Sequence, residues 1–479
     1  GEWSILAANQ GVADLDVSLL GYARQVALRG TPALGGVPHL KIGKLLTAGV
    51  EEMESLRLVR LRMSHYQKSE AVNPKPLSFG VFGPPGAGKS FGVKELANGI
   101  FTDGKGGYEG WMEFNLSQFK DDTDLIGAFH QVRDCRLRGL VPVVFWDEFD
   151  SGNYKWLQYL LAPMQDGKFQ EGQITHPIGK SIFIFAGATS ATFECFGPRE
   201  EEIEEYRKFK LAKGPDFKSR LDASLNVLGP NRPKPVGGKA CPAGSDRFCP
   251  VRRAILIRAL LGCKPAERLE IDSGLLSALL EVEEYRHGAR SLEKLLEPLR
   301  EARQRGYKVL RSQLAADHQL RLFVDPAAFH ALLQRDDAFK QEDLVSAIAP
   351  AIHETWRKIA RRQKWPYPYD QPYAALPPDI KGSNVAAARR MPENLALVGL
   401  RLVPGRATVG EQEQVQSHLA LHGELLAEME HEGWMANRLE GGWRYDPVRN
   451  DGERKHNCLR PFRELSEADR DKDRDSIRH

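Results

Sequence analysis

The stretch Leu77-Ser-Phe-Gly-Val-Phe82-Gly83-Pro84-Pro85-Gly86-Ala87-Gly88-Lys89-Ser90 decides how this chain folds. A short apolar run, Leu77–Phe82, leads into a Gly-x4-Gly-Lys-Ser loop, and an amphipathic helical stretch, Ser90–Ile100, follows. Strand, loop and helix in that order make the loop a phosphate cradle. Glycines let successive backbone N–H groups turn inward without a Cβ clash, and the helix N-terminus adds its positive dipole end. Lys89 is placed to reach the β- and γ-phosphates of a nucleoside triphosphate, and Ser90 to offer a hydroxyl to Mg²⁺. The expected nucleotide-binding residues are therefore Gly83, Pro84, Pro85, Gly86, Ala87, Gly88, Lys89 and Ser90.

Downstream, the apolar run Val143-Val-Phe-Trp146 ends in Asp147-Glu148. By itself this also fits a strand closing in a solvated acidic turn. After a phosphate loop it reads as chemistry: Asp147 holds Mg²⁺ directly or through water, and Glu148 polarises the attacking water as general base. Residues 77–228 alternate short apolar runs with amphipathic stretches. The expected fold class is thus α/β, a parallel sheet flanked by helices.

Outward from this core, residues 1–76 read as mostly helical, from Leu45, Val50, Met53, Leu56, Val59 and Met63. Asn73-Pro-Lys-Pro76 ends them. Residues 229–250 are rich in Pro and Gly and read as a linker. Residues 251–304 return to helical spacing, and 305–342 read as a helical connector. The C-terminal part repeats itself. His353-Glu-Thr-Trp356 returns as His431-Glu-Gly-Trp434, each Trp is followed nine residues on by Trp365 or Trp443, and Pro372-Tyr-Ala-Ala-Leu376 returns as Pro461-Phe-Arg-Glu-Leu465. Two small, mainly helical modules, 343–405 and 415–479, are expected, too few for a solenoid. The second has extra residues around Tyr445–Asn457. Large aromatics dominate small cores, so Trp356 and Trp434 read first as core. The tail Asp451–His479 reads as a solvated helix of paired charges.

A chain of 479 residues has room for about three domains. Its 42% apolar and 27% charged residues are those of an ordinary globular protein. Lys+Arg 67 against Asp+Glu 64 leaves +3, which argues against a nucleic-acid coat or a basic membrane-surface protein. No apolar run reaches the ~18 residues of a membrane span. No secretory leader pattern opens the chain, so the expected location is cytoplasmic. Six cysteines without a Cys-x-x-Cys pair read as reduced thiols; Cys241 and Cys249 are at most a zinc half-site.

The two motifs and the helical segment after them resemble the AAA+ ATPases over about residues 45–304. The resemblance implies an α-helical lid at 251–304 and a polar γ-phosphate sensor on Phe183–Ser190. Thr189 is the first candidate there and Ser190 the second, since the usual Asn is absent. Gln165–Pro177 looks like a hairpin inserted ahead of that strand. Lys213-Gly-Pro-Asp-Phe217-Lys218-Ser-Arg220 resembles the arginine-finger segment. It implies that Arg220, with Lys218 as rival, reaches a neighbouring subunit's nucleotide in a ring-shaped homo-oligomer, a hexamer among the sizes it admits. Gly288-Ala289-Arg290-Ser291-Leu292 resembles the sensor-2 motif, with Arg290 touching the nucleotide from the lid. Phe119 stands where threading members carry an aromatic pore loop; a packing role fits it equally.

The C-terminal blocks resemble the ryanodine-receptor-type repeat, or RyR domain. The second copy is the fuller match, and the first lacks the segment holding Asp451 and His456. This resemblance implies sensing of a nucleotide-derived ligand or a protein partner, in prokaryotic antiviral defence or stress signalling. Trp443, Tyr445, His456 and Arg460 are the expected ligand-sensing residues. The expected function is Mg²⁺-dependent ATP binding and hydrolysis, with Lys89, Asp147, Glu148, Thr189, Arg220 and Arg290 as catalytic set. A nucleotide-gated assembly switch is one alternative. A nucleic-acid remodeller is another, disfavoured by the near-neutral charge.

Overall fold

The computed structural model describes residues 3–7, 14–70, 74–102, 106–187, 189–232, 246–335, 337, 342–365 and 367–478. At its centre are five parallel strands: β1 (Leu77–Phe82), β2 (Trp111–Asn115), β3 (Val143–Asp147), β4 (Ile182–Ala186) and β5 (Ala223–Asn226). They lie in the order β5-β1-β4-β3-β2. A parallel sheet is covered on both faces, so its central strands read as continuous apolar runs. All five residues of β4 are buried. Successive side chains point to opposite faces. Phe183 and Phe185 join Trp146, Phe129 and Leu157 on one side. Ile182, Ile184 and Ala186 join Leu56, Val59, Met63, Val93 and Leu96 on the other.

The helix after the loop runs Lys89–Phe101, in accord with its apolar spacing. The expected hairpin is present, Lys168–Glu171 against Ile174–Pro177. It is tied to helix Asp122–Leu137 through Glu171 Oε2, which lies 2.9 Å from His130 Nε2 and 3.2 Å from His176 Nε2.

Several expectations change. Leu45 belongs to a strand, Leu45–Ala48, paired antiparallel with His39–Ile42; the helix starts at Val50. Helix Asp14–Arg29 does not stand apart with residues 30–76. It packs into the bundle of Cys249–Leu260, Ser273–Glu281 and Ala289–Gln304, sharing one core from Leu19 and Ala23 to Leu279 and Leu295. Strand Trp3–Ala7 pairs antiparallel with Leu400–Pro404, far along the chain. Gly229 and Pro230 are buried, and their carbonyls accept from Arg252 Nε and Arg253 Nε. Cys249 Sγ bonds the Pro230 carbonyl at 3.3 Å. Cys241 and the middle of the expected linker lie outside the described residues. Among the described residues, no helix is long and apolar enough to cross a membrane.

The C-terminal region is helical, and its repeated blocks take equivalent places. Each begins on a long helix, Glu342–Gln363 or Gly423–Glu440. Each then makes a 3-10 turn, Tyr373–Ala375 or Phe462–Glu464, and a further helix, Pro378–Leu397 or Glu467–Arg478. The repeated histidines join the first and last blocks of each copy, although the second copy has more residues between them. His353 Nε2 lies 2.7 Å from the Gln371 carbonyl, and His431 Nε2 lies 2.9 Å from that of Arg460. In both copies that carbonyl belongs to the residue before the repeated Pro. The tail is less solvated than its charges suggest: Asp475 is buried, and Asp473 pairs with the buried His431 at 3.1 Å.

Candidate functional site

The carboxyl ends of β1, β4 and β3 lie side by side, the edge of an open α/β sheet where the crevice for ligands is expected. Its floor is the loop after β1. Gly83, Gly86 and Gly88 have φ of 155°, 75° and 88°. A Cβ on Gly83 would sit 2.5 Å from the Val227 carbonyl oxygen, and one on Gly86 would sit 2.9 Å from Arg290 Cγ. Only glycine meets both demands. Gly88 caps the helix that Lys89 begins, so amide groups and the helix dipole face the same space.

Lys89 Nζ donates to the Gly83 carbonyl at 2.8 Å. Burial lowers its pKa, Asp147, Asp150 and Glu148 pull it up, and Arg290 pushes it down. Three acids from the end of β3 and one arginine from the start of helix Ala289–Gln304 thus share a field with the loop lysine. Asp147 is raised, first by burial and then by the negative charge of Glu148 and Glu113. Ser90 Oγ lies 3.5 Å from Glu113 Oε2. A hydroxyl and two crowded carboxylates form a hard oxygen donor set, which suits Mg²⁺. Glu148 has φ of 54°, a left-handed conformation rarely taken by a non-glycine residue, and its N–H donates to Asp147 Oδ1 at 3.1 Å. Asp150 is 3% exposed and accepts from both the Thr189 N–H at 3.0 Å and the Thr189 hydroxyl. Ser190 Oγ turns away, to the Cys195 carbonyl at 3.3 Å.

Arg290 sits exposed at the start of helix Ala289–Gln304 and packs against Gly86. Arg220 is elsewhere. It precedes β5, near the entering end of β1, and donates to Gln165 Oε1 at 2.6 and 3.1 Å and to the Asp216 carbonyl at 2.8 Å. Lys218 Nζ folds over the Phe193 ring at 4.7 Å and bonds the Phe196 carbonyl. Within one chain neither cation enters the crevice. Phe119 packs edge-on against Phe114 and Trp156, the packing role.

Behind the loop lies a cavity of about 490 Å³. Leu45, Phe91, Leu225 and Ile255 supply apolar walls, and Gly86, Ala87 and Gly88 close one side. Its polar edges are satisfied: Thr47 bonds the buried Glu52, and Arg252 pairs with Asp246. A void with walls of this kind has the character of a pocket for a small, largely apolar group. Glu113, Asp150 and this cavity escaped the sequence reading. Asp150, two residues past the Asp147-Glu148 pair, was the one legible signal.

A second void, about 260 Å³, lies between the two C-terminal repeats. Trp356, Trp365, Tyr367 and Tyr369 come from the first copy; Trp434, Arg438, Arg449 and His456 come from the second. Trp356 and Trp434 are half-buried and line this space rather than filling a core. Tyr369 Oη donates to Asp451, which Arg449 also grips at 2.7 and 2.8 Å. These bonds, led by Arg449, hold the Asp451 carboxyl down at about 2. Burial first, then Arg449, lower the His456 imidazole to about 4. Of the four expected sensing residues, His456 lines the void and Trp443 borders an adjoining groove. Tyr445 and Arg460 pair with each other outside it: Tyr445 is 47% exposed, and Arg460 Nη2 donates to its hydroxyl at 3.1 Å.

Residues 411–479 match the RyR domain family model, over the second repeat. Solved structures of NtrX from Brucella abortus are similar to the chain at low level. The ADP complex has TM-score 0.38 and 13% identity over 80% of this chain and 69% of that one. The ATP complex has TM-score 0.36 and 13% identity over 75% and 65%. A likeness of this size carries no argument for fold or function.

Proposed function

We propose that the chain is a Mg²⁺-dependent AAA+ ATPase whose C-terminal RyR-type repeats sense a nucleotide-derived ligand or a protein partner. The observation that carries this is the convergence of Lys89, Asp147, Glu148 and Arg290 on one crevice, from three elements remote in sequence. Mg²⁺, held by Ser90 and Asp147, would draw charge from the phosphates. The loop amides and Lys89 bind and orient the γ-phosphate. Glu148, set by its left-handed backbone, takes the proton of the attacking water. Arg290 reports on the nucleotide to the lid through helix Ala289–Gln304. Arg220 acts only on a neighbour's nucleotide, so turnover requires assembly into a ring. Defence or stress signalling is the setting this architecture suits.

Steady-state phosphate release decides the reading. Lys89→Ala and Glu148→Gln are expected to fall at least about 100-fold below wild type, the range for loss of a general base. Equal rates in all three proteins would sink it. One observation favours a second reading, a nucleotide-gated switch with little turnover: Asp150 engages both Thr189 donors, leaving that residue no free donor for a phosphate. Light scattering that shows ATP-driven assembly without phosphate release would select the switch.

A further inference from the structure

Arg438 is 9% exposed, and its buried Nε has no hydrogen-bond partner among the described residues. The nearest carboxylate, Asp379 Oδ2, is 3.9 Å away on an exposed side chain. A buried cation with a donor left unbonded is costly, because its desolvation is then incompletely compensated. The group is nevertheless held firmly, stacked over Trp443 at 4.4 Å with Trp434 at 6.0 Å. It borders two spaces at once: the aromatic void between the repeats and an open groove of about 660 Å³.

The other charges around the void are self-paired. Arg390 and Asn394 hold Glu430, His431 holds Asp473, Arg449 holds Asp451, and Lys472 holds Asp469. Arg438 has instead the long 3.9 Å pairing to the exposed Asp379, and its charge is positive. Beyond it, Arg454 lines the groove wall. Inside, Trp356, Trp365 and Trp434 each remain half-buried, with the first two rings 6.2 Å apart and tilted by 48°. Three indoles around one void, none completing its packing, form a seat for a planar ring.

We infer that the two repeats together build one ligand site centred on Arg438, which takes a phosphorylated heteroaromatic molecule of the nucleotide class. The ring enters the indole-lined void, the phosphate meets Arg438 at its mouth, and the rest of the ligand lies in the groove. A guanidinium fork matches two phosphate oxygens, which supplies the missing hydrogen bonds. Neither repeat suffices alone, since the first brings Trp356 and Trp365 and the second brings Arg438 and Trp434. The inference rests on the reading of this region as a sensor, and moves the site from Tyr445 and Arg460 to the interface between the copies.

The test is calorimetric titration of the full chain carrying Lys89→Ala, so that the phosphate loop does not compete. The probes are AMP, cyclic di-AMP, inorganic phosphate and indole-3-acetate. At least one nucleotide is expected to bind at one site per chain, at least tenfold tighter than phosphate or indole-3-acetate. Adding Arg438→Gln is expected to weaken it about 10- to 100-fold, the range for hydrogen bonds to a charged group. Trp356→Leu, on the other repeat, should weaken it as well without touching Arg438. Thermal melts establish that each variant is folded. No binding of either nucleotide, or unchanged binding in Arg438→Gln, overturns the site. A preference for indole-3-acetate overturns its phosphate end. Binding is read without ATP turnover, so loss of the ATPase reading leaves this result intact, and the reverse holds too.

Discussion

His456 makes the C-terminal region sensitive to acid in a way that can be worked through in sign and size. Its imidazole lies edge-on to Trp434, with ring centres 5.0 Å apart, and its Nδ1 accepts from the Cys458 N–H at 3.1 Å. Burial and the charges of Arg449 and Arg438 lower its pKa from 6.5 to about 4, with Asp451 and Asp469 opposing. The folded value lies below the unfolded one. The neutral ring therefore contributes stability that is fully present above pH 6.5 and is lost as pH falls through 4. At about 1.4 kcal/mol per pH unit the difference reaches about 3 kcal/mol. Screening of a ring that keeps some contact with solvent reduces this to about 2 kcal/mol. Native-state hydrogen exchange over residues 444–459, at pH 7.5 and pH 4, reads it directly. Wild type should lose about 2 kcal/mol of protection between the two. His456→Gln keeps an acceptor for Cys458 but cannot titrate, and should lose much less. Equal losses in both proteins, or a measured His456 pKa near 6.5, would refute the reasoning. Asp451 does not interfere in this window, because its carboxyl stays ionised down to about 2.

Other expectations follow from the same geometry. Asp451→Asn should destabilise the module by about 2 kcal/mol at pH 7, and the difference from wild type should vanish as pH falls from 4 to 2, seen in urea melts. Gly86→Ala forces a Cβ to φ 75° and to 2.9 Å from Arg290 Cγ; ATP affinity should drop at least about tenfold by titration, with the melting temperature nearly unchanged. Phe185→Ala, in the fully buried heart of the sheet, should cost about 3–5 kcal/mol in denaturant unfolding. Helix Gly423–Glu440 lines the ligand void with Trp434 and Arg438, while its Glu428 and Glu432 reach Arg29 at 3.0 Å and Arg268 at 2.8 Å. Ligand binding at the void is expected to change phosphate release through these contacts; Arg29→Ala with Arg268→Ala should leave nucleotide binding intact but reduce that change, measured with and without the ligand.

Legibility in the sequence followed the range of the force involved. Gly83 to Ser90 could be read because a backbone that must take positive φ leaves only glycine, and that is a local demand. Strands β1, β3 and β4 could be read because burial on both faces leaves an unbroken apolar run. The repeat was visible because each copy solves the same local problem, a buried His bonding the carbonyl before a Pro. The strand of Leu45 was misread because an apolar residue at a helical interval also fits a short hairpin edge. Trp356 and Trp434 were misread because size alone assigns an indole to a core, whereas its partners decide whether its face is covered.

By itself, then, the sequence determined the α/β class, the phosphate loop, the acidic pair that ends β3 and the doubling at the C-terminus. Tertiary structure alone decided that Glu113 stands beside Ser90, that Asp150 occupies Thr189, and that helix Asp14–Arg29 shares a core with helices Cys249–Leu260 and Ala289–Gln304. It also decided that Arg438 lies buried between two repeats, its Nε without a hydrogen-bond partner among the described residues. Periodicity and backbone conformation act over a few residues and leave a trace in their order. Desolvation and charge pairing join residues tens or hundreds of positions apart, and exist only once the chain has closed around them.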